Sequence, residues 1–581
     1  MRNRSPIGYV VRIDGVKITI NLLDQHKGQV AGHYYGVASV GEVGNYLGIC
    51  SGIRLFILKI TGLFFSEPQE VHGSVKKAFT QQNNTPLRQV EGVIVGWIEN
   101  NEFISNTLSS PSLGSEVFPL TDEDVKLLFK GKDDYRNKII LGNEYTSGVP
   151  ISTSLNALLS RHIAVLGASG QGKSCFTAAI LQEIVKKSIS SRIVIFDVNG
   201  EYYNALKALN SKCNVKHIVI GRAPLGGEVP DAEYFQIPYF ALGKEGLSRL
   251  FLPSEKTQRP ALSFAIKSLP YVGWNVSELG VTVDNETVFY DDCRPFGSSA
   301  EGNLAYQCLC ELRRGTYPKE SVWPNMKALS ALVADSQCIT IGKFDNKERN
   351  SFYYSNVAPL VTRINRLAED DAFGAIVNVN GGEAIGQEPW EEAQNSLVNK
   401  LFGEPDSADN NIHLIDLTQI PHDLMPLVLG ALLDVYAHVL FKRGVAKASP
   451  TLLVLEEAHH YLRTLSEGDT LAYERLSKEG RKFGVSLWLS TQRPAEVSPT
   501  VLAQCGTWVC FRLTSGRDLE MVSAACDQAH SRDLARIPGL PRQSAIVFGA
   551  AIPMPVYIRT REAKPLPQSH DSDFDAWICP F

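Results

Sequence analysis

Residues 1–120 alternate between apolar and polar positions in short runs, which is the pattern of half-buried β-strands. The stretch GYVVRIDGVKITINL places two such runs on either side of Asp14-Gly15, a dipeptide typical of tight hairpins. IRLFILKITGLFF and QVEGVIVGWIENNEFI continue the pattern. Short strands separated by glycine turns predict a small β-barrel. After it, TDEDVKLLF has the Thr-x-x-Asp spacing of a helix start at Thr121.

From Arg161 the apolar residues form continuous runs instead of alternating. HIAVLG reads as a buried strand, KSCFTAAILQEIVKK as a helix and RIVIFDVNGEYY as a second strand and turn, which is the order of a parallel α/β sheet. After about Gln236 the segments become mostly helical. Strand-like runs then return, in the order NIHLIDLTQIP, TLLVLEEAHHYL, GVSLWLSTQRP, GTWVCFRLT and SAIVFGA. We therefore predict one α/β sheet that is split by a helical insertion.

Charge and composition restrict the partners. The net charge of −5 gives no overall basic signature, so a polyanion would need a local patch or a ring of subunits that concentrates a few cations. Eleven cysteines without a Cys-x-x-Cys motif are typical of reduced thiols in a cytoplasm. The N-terminus lacks the apolar stretch of a signal peptide, and no run approaches the ~20 apolar residues that cross a bilayer. We expect a soluble cytoplasmic protein with no membrane partner.

The stretch GASGQGKS matches the phosphate-binding loop G-x-x-x-x-G-K-[ST] between a predicted strand and a predicted helix. Its glycines let several backbone N–H groups point at phosphate oxygens, and the following helix adds its positive end. Lys173 would reach the β- and γ-phosphates and Ser174 would bind Mg²⁺. The predicted nucleotide-binding residues are Gly167, Ala168, Ser169, Gly170, Gln171, Gly172, Lys173, Ser174 and Cys175.

TLLVLEEAHHYL supplies the acids that such a loop needs on a second strand. We assign Glu456 to Mg²⁺, through water, and Glu457 to orienting and polarising the attacking water. A zinc site would need His-Glu-x-x-His on one helix face, which the stretch lacks. His459 and His460 are therefore expected to pack, or to transmit the state of the site toward a bound polymer.

These motifs together resemble the HerA family, hexameric DNA-translocating ATPases related to FtsK. The resemblance rests on the phosphate loop, IFDVNGEY, LLVLEEAHHY, KEGRKFGVSLWLSTQRP and the β-rich N-terminus. It implies a multidomain α/β protein with an N-terminal β-barrel, which SLGSEVF would close, and a RecA-like P-loop core that uses ATP and Mg²⁺. The expected parts are the barrel and linker at 1–145, the core at 146–235 and 409–562, the helical insertion at 236–408 and a C-terminal tail at 563–581.

The resemblance also implies roles for polar residues at strand ends. Asp197 and Glu201 would lie near the metal and water; the alternative is a helix N-cap and a solvated turn acid. Gln492 would sense the γ-phosphate and bind the attacking water; the alternative is a strand-end turn residue. Where the family's acidic pair often begins with aspartate, this chain has Glu456.

A ring ATPase also needs a cation that crosses the subunit boundary, because phosphoryl transfer is catalysed mainly by charge stabilisation. In ERLSKEGRKFG the resemblance favours Arg481 as this trans-acting finger, with Lys482 or Arg512 as the other candidates. Charged helices are otherwise usually solvated faces.

The family implies a homohexamer on double-stranded DNA that works with a separate nuclease or sirtuin-like effector, in DNA end processing or anti-phage defence. A second hypothesis makes the ring an ATP-regulated scaffold that controls an effector with little translocation. A protein-export or conjugation ATPase of the same broad fold is a third reading, which the lack of a membrane segment disfavours.

Overall fold

The computed structural model of the chain describes most of the barrel, nearly all of the α/β core and much of the insertion. The described residues are 5–23, 30–33, 36–39, 42–65, 88–105, 108–129, 138–188, 190–224, 229, 231–272, 280–283, 286–289, 322–341, 346–404, 411–447, 449–462, 472–525 and 531–568. The predicted tail beyond residue 568 lies outside them.

The N-terminal barrel is confirmed. Six antiparallel strands close on themselves because Lys17–Leu22 pairs with both Gly8–Asp14 and Arg88–Glu99. In order around the barrel they are Lys17–Leu22, Gly8–Asp14, Glu116–Pro119, Tyr46–Ser51, Arg54–Phe65 and Arg88–Glu99, with Glu102–Ile104 added to the last. The short hairpin Val30–His33 and Gly36–Ser39 stands apart from this sheet.

Local sequence signals decide the turns of this region. Gly15 has a left-handed φ of 59° between the first two strands, which explains the Asp-Gly signal. Thr121 begins the helix Asp122–Leu128, as predicted. Its hydroxyl accepts the N–H of Asp124, and the Asp124 carboxylate accepts the N–H of Thr121.

The α/β core contains a sheet of twelve strands. Eight neighbouring strands are parallel, in the order Cys505–Cys510, His162–Leu166, Val485–Thr491, Thr451–Leu455, Arg192–Asp197, Asn411–Asp416, Asn214–Ile220 and Ala232–Phe235. Antiparallel strands extend the sheet from the first of these, in the order Ser544–Gly549, Val556–Thr560, Lys138–Glu144 and Pro150–Ser154. The predicted boundary at residue 145 thus falls in the turn between two strands of this sheet.

Both faces of the parallel sheet are covered, which explains its continuous apolar runs. Along one central strand, Ile193 and Ile195 join one hydrophobic cluster and Val194 and Phe196 join the other. The larger helices on these faces are Lys173–Lys187 and Met425–Arg443. The shorter helices of the core are Leu155–Leu159, Tyr203–Lys207, Ala472–Glu479, Pro499–Leu502, Gly516–Ala525 and Ser531–Leu534.

The described part of the insertion is mainly helical, as predicted. Its helices are Gly243–Phe251, Gln258–Ser268, Lys327–Asp335, Ser351–Glu369, Asp371–Ile376 and Pro389–Phe402. Short strand pairs connect them, namely Ile237–Pro238 with Val377–Asn378, Gly280–Val283 with Glu286–Phe289, and Cys338–Ile341 with Asn346–Arg349.

One helix among the described residues, Met425–Arg443, is long and apolar enough to cross a membrane by length and composition alone. Of its most apolar stretch, 61% is buried inside the protein. Its residues Val428, Leu432 and Val435 belong to the same hydrophobic cluster as the insertion helix Gly243–Phe251. The burial is that of a core helix between the sheet and the insertion.

Candidate nucleotide site

The loop Gly167–Ser174 has the backbone that a phosphate cradle requires. Gly170 and Gly172 have φ values of 70° and 107°, a region that side chains rarely adopt. Gly172 is the N-cap of the following helix. A Cβ on Gly167 would lie 2.5 Å from the Cβ of Phe511, so this position excludes any side chain. Each of the three glycines of the motif is therefore required by geometry.

Two neighbouring strand ends support this loop. The N–H of Ala168 donates to the carbonyl of Arg512 at 2.8 Å, and the N–H of Gln543 donates to the carbonyl of Gln171 at 3.0 Å. Lys173 is buried, and its Nζ donates to the carbonyl of Ala168 at 3.1 Å. Of the other predicted nucleotide-binding residues, Ser169 is exposed, and Ser174 and Cys175 are half-buried.

Glu456 lies at the carboxyl end of the strand Thr451–Leu455. One strand, Val485–Thr491, separates this strand from His162–Leu166, which leads into the loop. Only 4% of the residue is exposed. Burial raises the pKa of its carboxyl to about 7; the hydroxyls of Ser490 and Tyr202 and the charge of Lys173 oppose the rise, and Glu457 adds to it. The hydroxyl of Tyr202 donates to Oε1 of Glu456.

Glu457 has the opposite electrostatic balance. Burial alone would raise its pKa, but His459, Lys173 and the backbone N–H of Gln492 together lower it below its ordinary value. Its backbone φ is 46°, an unusual left-handed conformation for a residue with a side chain, and such strain is frequent at functional positions. An ionised, oriented carboxylate beside the loop lysine is the arrangement that a general base needs.

Asp197 holds the turn after its strand. Its carboxylate oxygens accept the backbone N–H groups of Gly200, Glu201 and Tyr202 at 2.9, 3.2 and 2.9 Å. Burial raises its pKa to about 7; the N–H of Tyr202 opposes the rise, and the charge of Asp416 adds to it. Asp197 thus closes this turn, whereas the N-cap of the following helix Tyr203–Lys207 is Tyr202. The part of Asp197 in hydrolysis stays a prediction. Glu201 is half-buried, and its carbonyl accepts the N–H of Gln568.

Sequence reasoning missed two members of this cluster. Asp416 ends the strand beside Asp197 in direct register, with its carboxylate bound to Thr418 and lying 3.3 Å from the ring of His217. Tyr202 is fully buried and binds Glu456 across 254 positions of sequence. The DLTQ after a buried strand repeats the strand-then-acid signal of DVNGEY, so Asp416 could have been found by the same rule.

The candidate cations lie on different edges of the sheet. Arg481 is exposed on the 3₁₀ turn Gly480–Phe483, which precedes the strand Val485–Thr491 and so lies at the amino ends of the strands, opposite the phosphate loop. Lys482 is exposed beside it. Arg512 follows the strand at the loop's own edge, and Gln492 is half-buried at the same edge. The chain's own site thus includes Gln492 and the backbone of Arg512 but excludes Arg481.

The residues present fit a magnesium ion. A pair of buried carboxyls, one with a pKa raised to about 7, is an arrangement that a divalent cation would relieve. Ser174 and Glu456 would hold it, with the oxygen ligands that Mg²⁺ prefers. Within the described ranges no group of three or more histidine, cysteine, aspartate or glutamate side chains could form a metal site by itself.

Comparisons in sequence lead to one family. The family model described as "Helicase HerA, central domain" matches residues 139–293. The DNA double-strand break repair helicase HerA of Pyrococcus furiosus is 24% identical over 503 residues, which cover 81% of this chain and 77% of that protein. A probable helicase of Methanocaldococcus jannaschii is 25% identical over 528 residues, 87% of this chain and 83% of that protein.

Comparisons in structure give weaker likenesses. VirB4 of Thermoanaerobacter pseudethanolicus has a TM-score of 0.45 at 17% identity, covering 75% of this chain and 98% of that one. The plasmid coupling protein TrwB in complex with ADP and Mg²⁺ has a TM-score of 0.41 at 15% identity, covering 76% and 93%. The sequence matches confirm the predicted resemblance: over most of its length the chain is similar to HerA helicases, and it carries the P-loop and the paired carboxylates on which the resemblance rests.

Proposed function

We propose that the chain is an ATP-driven motor that moves along double-stranded DNA as a homohexamer and serves a separate effector protein. The observation that carries the ATP-hydrolysing part of the proposal is the pair of unlike carboxyls beside Lys173, with the pKa of Glu456 raised and that of Glu457 lowered. Environments that separate the pKa values of two neighbouring acids assign them different roles. Here they separate a metal-side acid from a water-activating base.

The chemistry follows from these positions. The loop amides and Lys173 bind the phosphates of ATP, and Ser174 and Glu456 would hold Mg²⁺, which neutralises developing charge. Glu457 orients a water molecule and accepts its proton while the water oxygen bonds to the γ-phosphorus and the bond to ADP breaks. Gln492, whose backbone already contacts Glu457, would place its amide on the same water.

A ring accounts for the distribution of cations. Arg481 is exposed at the edge of the sheet opposite its own nucleotide. Such an arginine can complete a site only on another subunit, which supports the predicted finger in trans. The names of the relatives support DNA as the substrate, since several are DNA double-strand break repair helicases. The assignment of a separate nuclease or sirtuin-like effector, and of anti-phage defence or end processing, extends this proposal from the family resemblance.

The test is ATP hydrolysis by the purified protein with and without linear double-stranded DNA. Stimulation by DNA that falls with salt, and that disappears in Lys173→Ala and Glu457→Gln, is expected for the motor. Lys186→Ala is the matched control, because Lys186 is exposed on the same helix as Lys173. Robust hydrolysis that is indifferent to DNA would contradict the motor and favour the ATP-regulated scaffold.

A further inference from the structure

The imidazole of His459 lies against the proposed base. His459 is only 2% exposed and sits on the short 3₁₀ turn Ala458–His460 that directly follows Glu457. Its Nδ1 is 3.2 Å from Oε2 of Glu457 and 3.1 Å from Oγ1 of Thr491. One ring nitrogen therefore faces both a carboxylate and a hydroxyl.

The Glu457 carboxylate needs a donor at this point. Oε2 is buried and receives no well-aligned hydrogen bond among the residues that the structure describes. A buried ionised oxygen without a donor is costly, by about 1–3 kcal/mol or more for a charged group. The Thr491 hydroxyl accepts the backbone N–H of Arg493 at 3.1 Å and keeps one donor and one acceptor site free. It can therefore donate to an unprotonated Nδ1, or accept from Nδ1–H together with the carboxylate.

The other side of Glu457 is fixed by the neighbouring strand. The N–H of Gln492, the residue after Thr491, binds the carboxylate of Glu457. Glu457 is thus held between its own turn, through His459, and the end of the strand Val485–Thr491. A left-handed residue that must present its carboxylate to water depends on such supports.

We infer that His459 is a positioning residue for Glu457: its Nδ1–H donates to Oε2 and holds the carboxylate in place for hydrolysis. The inference rests on the proposed function, because it assumes that Glu457 activates water. His459 itself touches neither nucleotide nor water in this role. It holds the carboxylate in one orientation, just as the carboxylate of a catalytic triad holds its histidine.

The test compares substitutions that keep or remove a donor at the Nδ1 position. Asparagine places an amide N–H where Nδ1–H stood, whereas leucine fills the space without a donor. We expect His459→Leu to lower kcat for ATP about tenfold to a hundredfold, the effect of one hydrogen bond to a charged group, with KM and the affinity for a non-hydrolysable ATP analogue within twofold of wild type. His459→Asn should recover most of the rate.

His413→Leu is the matched control, since His413 is also buried in this sheet but bonds the Lys400 carbonyl away from the site. Should His459→Leu fail to fold, His459→Gln serves, because its longer amide does not reproduce Nδ1 and should hydrolyse more slowly than His459→Asn. Equal rates for His459→Asn and for the leucine or glutamine variant, or an unchanged kcat in all, would overturn the inference. Loss of wild-type hydrolysis in Glu457→Gln tests separately the assumption that Glu457 activates water, and stimulation by DNA tests the motor.

Discussion

Replacing Lys59 by methionine is expected to loosen the joint between the barrel and the ATPase sheet. Lys59 lies on the barrel strand Arg54–Phe65, and its Nζ is 2.7 Å from Oδ1 of Asp533 in the core. The two side chains are 5% and 11% exposed. The same Nζ lies 3.4 Å from the carbonyl of Pro555 and 5.4 Å from the ring centre of Tyr557. The pair joins positions 474 residues apart.

The magnitude follows from the burial of both partners. Lys59→Met leaves Asp533 as an unpaired buried charge, and breaking a buried pair from one side costs about 3–5 kcal/mol. For a cooperative unit of about 150–250 residues this lowers Tm by about 6–20 °C. Replacing both partners, as Lys59→Met with Asp533→Leu, removes the stranded charge and should recover most of the loss.

Differential scanning calorimetry, together with limited proteolysis, measures the effect in the wild type, Lys59→Met, Asp533→Leu and the double variant. Because the pair is buried, added salt should change it little. Lys207→Met is the matched control: the Lys207–Asp231 pair has a similar distance of 2.6 Å, but its side chains are 48% and 65% exposed. We expect no change in Tm from that variant. A double variant as unstable as the sum of the two single ones would refute the reasoning, since the partners would then act independently.

Three further outcomes are expected. Gly167→Ala should weaken nucleotide binding by about tenfold, because its Cβ would overlap that of Phe511 at 2.5 Å and displace the loop, as nucleotide titration will measure. Burial raises the pKa of Glu456 from 4.5 to about 7. Without nucleotide and Mg²⁺, ionisation of this carboxyl therefore lowers the free energy of unfolding by about 3 kcal/mol as the pH rises through that window. In unfolding measured from pH 5 to 8, Glu456→Gln should remove this loss of stability. The pKa of Glu457 is lowered, so its ionised form stabilises the fold above the ordinary pKa, and Glu457→Gln should remove that stabilisation. Tyr202→Phe deletes the donor to the Glu456 carboxyl and should cost about 1–3 kcal/mol of unfolding free energy.

Each of these has an internal control. Gly539→Ala meets no atom within 4 Å and should bind nucleotide normally. Tyr461→Phe removes a hydroxyl that donates to the backbone carbonyl of Glu456 at 2.8 Å, so its cost should not vary with the charge of the carboxyl. Equal pH dependence of the two glutamine variants would contradict the opposite pKa shifts. A Tyr461→Phe effect that follows pH as closely as that of Tyr202→Phe would contradict the assigned bonds.

The sequence by itself determined the features that depend on neighbouring residues. GASGQGKS needs only adjacent glycines, a lysine and a helix start, so its cradle could be predicted without the fold. The capping box at Thr121 and the Asp14-Gly15 turn are equally local. The parallel sheet was predictable because both of its faces are buried, which leaves continuous apolar runs in the chain.

Only the tertiary structure decided which distant groups meet. Strand order places the strand of Glu456 near that of the phosphate loop, with one strand between them, and places Asp416 beside Asp197. Hydrophobic periodicity carries no information on that order. The contacts of Tyr202 with Glu456 and of Lys59 with Asp533 join residues hundreds of positions apart. The pKa values of Glu456 and Glu457 differ because burial outweighs the hydroxyls and Lys173 at Glu456, whereas His459, Lys173 and an amide outweigh burial at Glu457. Glu456 and Glu457 are adjacent and of the same type, yet their ionisation differs. Burial and hydrogen-bond partners, which exist only in the folded chain, set the free energy of a charged side chain.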